Sequence, residues 1–204
     1  MNNIFLDFDG TIIDVWKRYY KIFCDFYKID IDFELYKNEK RKYKSDFLLT
    51  EKYANIALFN EYKIYKKNNL ENIDFLKLDT VILYNNDISN FKILTFRNNY
   101  NNLLLQIDYL DLKINLNNII CLDPKITTKK KYLMSFNDVI IVGDSESEYE
   151  CSENENTTVF LVKTGLRDIS TFNVKDNVFL LNDINQFINL LKNNQITNKQ
   201  LNDI

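Results

Sequence analysis

Two carboxylates stand two residues apart near the start of the chain, where the sequence FLDFDGT carries Asp7 and Asp9 and continues with Gly10 and Thr11. They follow a short apolar run, so a first buried strand would deliver both to its carboxyl end. Like charges this close cost free energy unless a cation or a reaction uses them. The spacing therefore indicates a site for a metal ion or for acid–base chemistry.

Two later apolar runs are also followed by polar or charged residues. The run FKILTF (91–96) carries Thr95 near its end and Arg97 directly after it, and DVIIVG (138–143) is followed by Asp144 and Glu148. Parallel sheets bind ligands beyond the carboxyl ends of their strands. We therefore expect these side chains to converge with Asp7 and Asp9.

The elements that must position them alternate along the chain. We predict strands at 3–8, 91–96, 118–122, 138–144, 157–162 and 177–181, and helices at 98–110, 129–136 and 184–191. Between about 13 and 84 the apolar residues have helical spacing and no strong strand signal, which predicts a helical insertion of about 75 residues. Near-continuous apolar strands alternating with helices predict an α/β fold, a doubly wound parallel sheet covered on both faces. The last ten residues are expected to be a frayed tail.

Composition excludes several classes of function. The chain of 204 residues contains no histidine, which removes Ser-His-Asp, Cys-His and His-ligated zinc mechanisms. Its three cysteines are far apart, which suggests neither a disulfide framework nor a thiolate metal site. Its net charge of -3 gives no basic surplus for binding long nucleic acid. No signal-peptide pattern or apolar stretch of about 20 residues occurs, so we expect a cytoplasmic protein without membrane contact.

The motifs together resemble those of the haloacid dehalogenase superfamily. DFDGT is similar to its first motif, ILTFR (93–97) to its second and IIVGDSESE (140–148) to its fourth, in the same order, and the resemblance covers essentially the whole chain. The insertion resembles the helical cap of the phosphoglycolate-phosphatase-like branch. The resemblance implies a Rossmann-like core over 1–14 and 88–204, with a helical cap over 15–87 inserted after the first strand.

The resemblance also implies roles for single residues. Asp7 would be the nucleophile and a Mg²⁺ ligand, and Asp9 the general acid and base whose backbone carbonyl also touches the metal. Thr95 would hydrogen-bond a phosphoryl oxygen, while Asp144 and Glu148 would complete the metal site.

A lysine should neutralise the phosphoryl group, and the third motif that carries it is the least distinct. Lys129 fits best because it would open the helix that continues with Tyr132 and Leu133. Lys130 fits next, and Lys125 and Lys131 are further candidates.

The implied reaction is Mg²⁺-dependent hydrolysis of a small phosphorylated metabolite. True dehalogenases lack an acid at the position of Asp9, so Asp9 favours phosphoryl transfer. Mutase relatives commonly use a cap histidine, and this chain contains none, so a phosphatase is preferred. Two alternatives stay open: a phosphatase for nucleotides or nucleic-acid ends, and a catalytically silent binding module. Arg97 and the cap residues Arg18, Lys17, Tyr19 and Arg41 are candidate substrate contacts, and a homodimer formed through the cap also stays open.

Overall fold

Six parallel strands form the sheet that carries the candidate site. The computed structural model describes residues 3–43, 45–173 and 175–193. The strands of this sheet are β1 (Asn3–Leu6), β4 (Lys92–Thr95), β5 (Ile119–Cys121), β6 (Val139–Gly143), β7 (Thr157–Val162) and β8 (Val178–Leu181). Their spatial order is β5-β4-β1-β6-β7-β8, so β1 lies between the two strands that end in Thr95 and Gly143.

Both faces of the sheet are buried, which confirms the predicted doubly wound architecture. Successive strand residues point to opposite faces; Phe5 joins one hydrophobic cluster, and Leu6 joins the other. All five residues of β6 are buried. The covering helices are α6 (Tyr100–Tyr109), α7 (Lys129–Leu133), α8 (Glu146–Tyr149) and α9 (Ile184–Lys192), with 3₁₀ helices at Leu116–Asn118, Glu150–Glu153 and Ile169–Thr171.

A helical cap follows the first strand, also as predicted. Its helices are α1 (Trp16–Tyr27), α2 (Phe33–Lys42), α3 (Asp46–Tyr53), α4 (Phe59–Asn69) and α5 (Ile73–Leu76), with a 3₁₀ helix at Ile56–Leu58. They enclose a separate, largely aromatic core that includes Trp16, Phe23, Tyr36 and Tyr62. Polar side chains begin three of these helices, since Asp32, Ser45 and Asn72 each accept a backbone N–H from the first turn.

The predicted continuous helical pattern is wrong at the base of the cap. Two short strands, β2 (Ile13–Asp14) and β3 (Thr80–Val81), pair antiparallel there. The chain leaves the core and returns to it at the same place, and this pairing satisfies the backbone of both crossings. Strands of two residues are too short to show a period of two in the sequence.

Two smaller expectations need adjustment, and two others stay untested. The helical spacing predicted between about 13 and 84 is also interrupted at Asn55, whose side chain accepts from the Ala57 N–H and starts a separate turn. The short helix predicted at 129–136 ends at Leu133. The predicted tail at 195–204 lies outside the described residues, and the domain boundaries at 14/15 and 87/88 stay predictions.

None of the helices in the described ranges has the length and apolar character that crossing a membrane requires.

Candidate active site

The carboxylates that follow β1 and β6 meet because these strands are neighbours. The Asp7 N–H donates to the carbonyl of Val142 at 2.8 Å, which fixes the residue after β1 against β6. Asp144 is the first residue after β6, and Glu148 lies in α8. A reciprocal capping arrangement holds α8: the Ser145 side chain accepts from the Glu148 backbone N–H, and the Glu148 carboxylate accepts from the Ser145 N–H at 3.1 Å. The same carboxylate also accepts from the Ser145 hydroxyl at 2.7 Å.

Asp7, Asp144 and Glu148 form a buried acidic cluster. One carboxylate oxygen from each lies within 4.8 Å of the others. Carboxylate oxygens are the ligands that Mg²⁺ prefers, and Mg²⁺ is usually held by one or two carboxylates together with water and substrate oxygens. The donor set therefore fits a small divalent cation. The side chain of Asp9 is not part of this cluster.

The chain's three glycines all border this cluster. Gly10 has a positive φ of 79°, and a Cβ there would lie 2.6 Å from an Asp144 oxygen. A Cβ at Gly165 would lie 1.7 Å from the same oxygen, and one at Gly143 would meet the side chain of Glu148. The acidic groups reach their positions only because these residues lack side chains.

Lys129 is the cation within the cluster. It is the first residue of α7, where the Thr128 side chain caps the helix, and it is almost fully buried. Its Nζ lies 2.5 Å from Asp7 Oδ1 and 2.6 Å from Glu148 Oε1. Lys130 points elsewhere and pairs with Glu153 at the surface. Of these two sequence candidates, only Lys129 reaches the acidic residues.

The three carboxyl groups of the cluster have pKa values shifted in different directions. Burial raises the pKa of Asp7 to about 7, although Lys129 acts in the opposite direction. Burial also raises the pKa of Asp144, and the charges of Asp7 and Glu148 add to the rise. Glu148 is equally buried, but Lys129 and the Ser145 and Ser147 hydroxyls outweigh burial and lower its pKa. Three carboxylates thus share one ammonium group.

Asp9 lies beside the cluster and is held by two arginines. Arg97 donates to both carboxylate oxygens, from Nε at 2.5 Å and from Nη2 at 2.7 Å, and Arg18 of α1 donates to Oδ1. Burial opposes ionisation of Asp9, but the two guanidinium groups outweigh it and hold the pKa of this carboxyl well below its usual range. Arg18 and Arg97, both candidate substrate contacts from the sequence, therefore contact Asp9 directly.

Two further buried residues complete a ring behind Asp9. Gln106 of α6 accepts from Arg97 Nη2 at 2.9 Å and donates to Asp79 Oδ2 at 2.7 Å. That Asp79 oxygen lies 3.3 Å from Arg18 Nε, which closes the ring. Sequence reasoning missed both residues; the one available signal was a glutamine within the apolar helix LLLQIDYL.

A cavity of about 510 Å³ opens between the core and the cap. Asp7, Thr95, Lys129 and Asp144 line its core side, where Thr95 is almost fully buried. Arg18, Tyr19, Lys40 and Lys66 line it from the cap. The arrangement places a buried carboxylate, a cation and a metal-compatible cluster at one end of a small-molecule-sized space.

Comparison with solved structures identifies the fold. The chain superposes on a haloacid dehalogenase-like family protein from Streptococcus pneumoniae with a TM-score of 0.64 at 13% identity, covering 93% of this chain and 98% of that one. A predicted phosphatase from Clostridium acetobutylicum gives 0.58 at 15% identity over 94% and 98%. A family IA hydrolase of the same superfamily from Entamoeba histolytica gives 0.56 at 14% identity over 100% and 98%.

This protein therefore has the fold of haloacid dehalogenase-like hydrolases that carry a helical cap after the first strand. No protein-family model matches the sequence, and no curated protein matches it either. At identities of 13–15% the solved structures establish the fold alone.

Proposed function

We propose that this protein is a Mg²⁺-dependent phosphatase that hydrolyses a small phosphomonoester through an aspartyl-phosphate on Asp7. The observation that carries the proposal is the position of Asp7. It lies in a buried acidic cluster, contacts Lys129, and faces a cavity that Thr95 also lines.

Asp7, Asp144 and Glu148 would hold the metal ion directly or through its waters. Bound Mg²⁺ neutralises the negative charge that builds up when a carboxylate attacks a phosphate. Lys129 adds a fixed positive charge next to the Asp7 oxygen, and the Thr95 hydroxyl supplies a hydrogen-bond donor for a phosphoryl oxygen.

The chemistry then divides into two steps. An Asp7 oxygen attacks phosphorus, the bond to the leaving oxygen breaks, and the leaving group takes a proton if it is an alkoxide. Water next attacks the phosphorus of the aspartyl-phosphate, which releases inorganic phosphate and restores the Asp7 carboxylate. Asp9 serves as acid in the first step and as base in the second.

The arginine contacts of Asp9 favour the second role in the free protein. Because Arg18 and Arg97 keep Asp9 ionised, it already has the protonation state that a base needs, whereas it must take up a proton to assist an alkoxide. An aryl phosphate, whose leaving group departs without protonation, is therefore the suitable first substrate.

The test is hydrolysis of 4-nitrophenyl phosphate with and without Mg²⁺, with Asp7→Asn as the control. We expect activity that requires both the metal and Asp7. A folded protein that binds Mg²⁺ but hydrolyses neither aryl nor alkyl phosphates would contradict the proposal and favour a binding module.

A further inference from the structure

Two lysines of the cap share a single carboxylate at the wall of the cavity. Lys40 of α2 and Lys66 of α4 both line the cavity, and both pair with Asp46, the first residue of α3. Lys40 contacts one Asp46 oxygen, and the Lys66 Nζ lies 2.5 Å from the other. Three helices of the cap therefore bring their charges to one point.

The two lysines outnumber the one carboxylate that they share. Lys40 is only 4% exposed, and burial, together with the charges of Lys66 and Arg167, lowers the pKa of Lys40 to about 6. An opposite charge nearby favours the charged form of a lysine, so an anion in the cavity would favour the ammonium form of Lys40 and bind both lysines.

Hydrogen-bonding capacity is also left over. Each lysine ammonium has three N–H donors. Among the described residues, Asp46 is the only acceptor bonded to either group. The Tyr19 ring, which also lines the cavity, lies 5.0 Å from the Lys66 Nζ and borders the same position.

This cationic position is distinct from the one proposed for the transferred phosphoryl group. The core side of the cavity is lined by Lys129, Thr95, Asp7 and Asp144, whereas Lys40 and Lys66 line it from the cap. A ligand that uses both positions must carry negative charge at both of its ends.

We propose, building on the phosphatase function above, that the substrate carries a second acidic group on its alcohol portion and that Lys40 and Lys66 bind this group. The substrate class is thus a phosphorylated hydroxy acid or a bisphosphate. An alkyl phosphate of the same length, whose alkyl portion is uncharged, lacks the group that Lys40 and Lys66 would bind.

Binding of non-hydrolysable phosphonates tests this without turnover. Calorimetry in excess Mg²⁺ would compare propylphosphonate with 3-phosphonopropionate and with propane-1,3-bisphosphonate. We expect at least tenfold tighter binding of one or both doubly charged ligands, and the tighter of the two identifies the second group as carboxylate or phosphate.

Variants on a single helix assign the effect. Lys66→Gln should remove most of this preference, whereas Lys63→Gln, an exposed lysine of the same helix, should keep it. Lys40→Gln should act like Lys66→Gln, provided that its thermal unfolding shows a folded protein. Equal binding of all three phosphonates to the wild-type protein, or equal loss in the Lys63 and Lys66 variants, would overturn the inference.

Failure of this inference can be told apart from failure of the phosphatase proposal. Hydrolysis of 4-nitrophenyl phosphate without any preference among the phosphonates overturns only the second acidic group. A Lys66-dependent preference in a protein that hydrolyses no phosphomonoester supports the anion position and overturns the phosphatase function.

Discussion

Arg97 binds both carboxylate oxygens of Asp9, at 2.5 Å from Nε and 2.7 Å from Nη2, although the two residues are 88 positions apart in the chain. This bidentate contact joins the segment after β4 to the segment after β1. Such pairs are geometrically specific and stronger than neutral hydrogen bonds. Arg97 thereby sets both the orientation of the Asp9 carboxylate and its preference for the ionised state.

Replacing Arg97 should change the pH dependence for substrates that need an acid. In Arg97→Gln the pKa of Asp9 should rise, because Arg97 contributes to lowering it. In the proposed mechanism protonated Asp9 assists an alkoxide leaving group, so kcat/KM for an alkyl phosphate should fall as pH rises through this pKa. We expect that decline to move to higher pH in the variant, as measured by kcat/KM profiles.

An aryl phosphate provides the internal control for this prediction. Its leaving group needs no proton, so its profile should not share the shift. Parallel shifts for the aryl and alkyl substrates would show that Arg97 acts on the acidic cluster or on substrate binding rather than on Asp9.

Asp79 should make the protein less stable as pH rises. Burial raises the pKa of Asp79 from 3.8 to about 7, against the opposing charge of Arg18. A carboxyl group whose pKa is higher in the folded state binds its proton more tightly there. Its stabilising contribution is therefore complete below pH 3.8 and is lost as pH rises to about 7.

Asp79→Asn removes this pH-dependent contribution. We expect the stability of the variant relative to wild type to improve by about 1–2 kcal/mol between pH 5 and pH 8, measured by urea unfolding at each pH. Asp108→Asn, at an exposed carboxylate of α6, is the control for removing a carboxylate. A pH-independent difference between Asp79→Asn and wild type would contradict the assignment.

The acidic end of the site was predictable because each part has a local signal. Apolar runs that end in Asp7 or Asp144 mark strands whose carboxyl ends face a ligand, and the position of Lys129 before Tyr132 and Leu133 marks a helix start. Parallel-sheet topology then brings the strand ends together without further information.

The ring behind Asp9, formed with Arg97, Gln106, Asp79 and Arg18, was not predictable from the sequence. Its contacts are long-range, and neither Gln106 nor Asp79 belongs to a motif that would mark it. Gln106 and Asp79 are 27 positions apart and come from α6 and the segment before β3. Which helix face a lone glutamine occupies depends on how the cap returns to the core. The same return produces β2 and β3, whose two-residue length leaves no periodic signal.

Lys129 and Lys130 should differ sharply when each is replaced. Lys129→Gln leaves Asp7 and Glu148 buried without their cation, which should cost about 3–5 kcal/mol in the free energy of unfolding at neutral pH and abolish phosphatase activity. Lys130→Gln removes only a surface pair with Glu153, so the free energy of unfolding should be nearly unchanged and activity should persist.

Urea unfolding and aryl-phosphate hydrolysis on both variants check this contrast. Loss of activity in Lys130→Gln with activity retained in Lys129→Gln would reverse the assignment of the phosphate-binding lysine.

Removing one carboxylate of the acidic cluster should stabilise the metal-free protein. In Asp144→Asn the repulsion among Asp7, Asp144 and Glu148 is relieved while Lys129 keeps its two partners. A gain of about 1–2 kcal/mol would raise the melting temperature in EDTA by about 2–4 °C for each kcal/mol in a chain of this size.

Adding Mg²⁺ should reverse the order of the two proteins. Wild type gains stability in proportion to the logarithm of metal concentration above its Kd, while Asp144→Asn lacks one of the three carboxylates and should respond weakly. Thermal unfolding in EDTA and in Mg²⁺ gives both values, with Asp108→Asn, an exposed carboxylate of α6, as the control for charge removal. If Asp144→Asn melted below wild type in EDTA, the three carboxylates would not be under mutual repulsion, and a structural role for Asp144 would replace its assignment to the metal site.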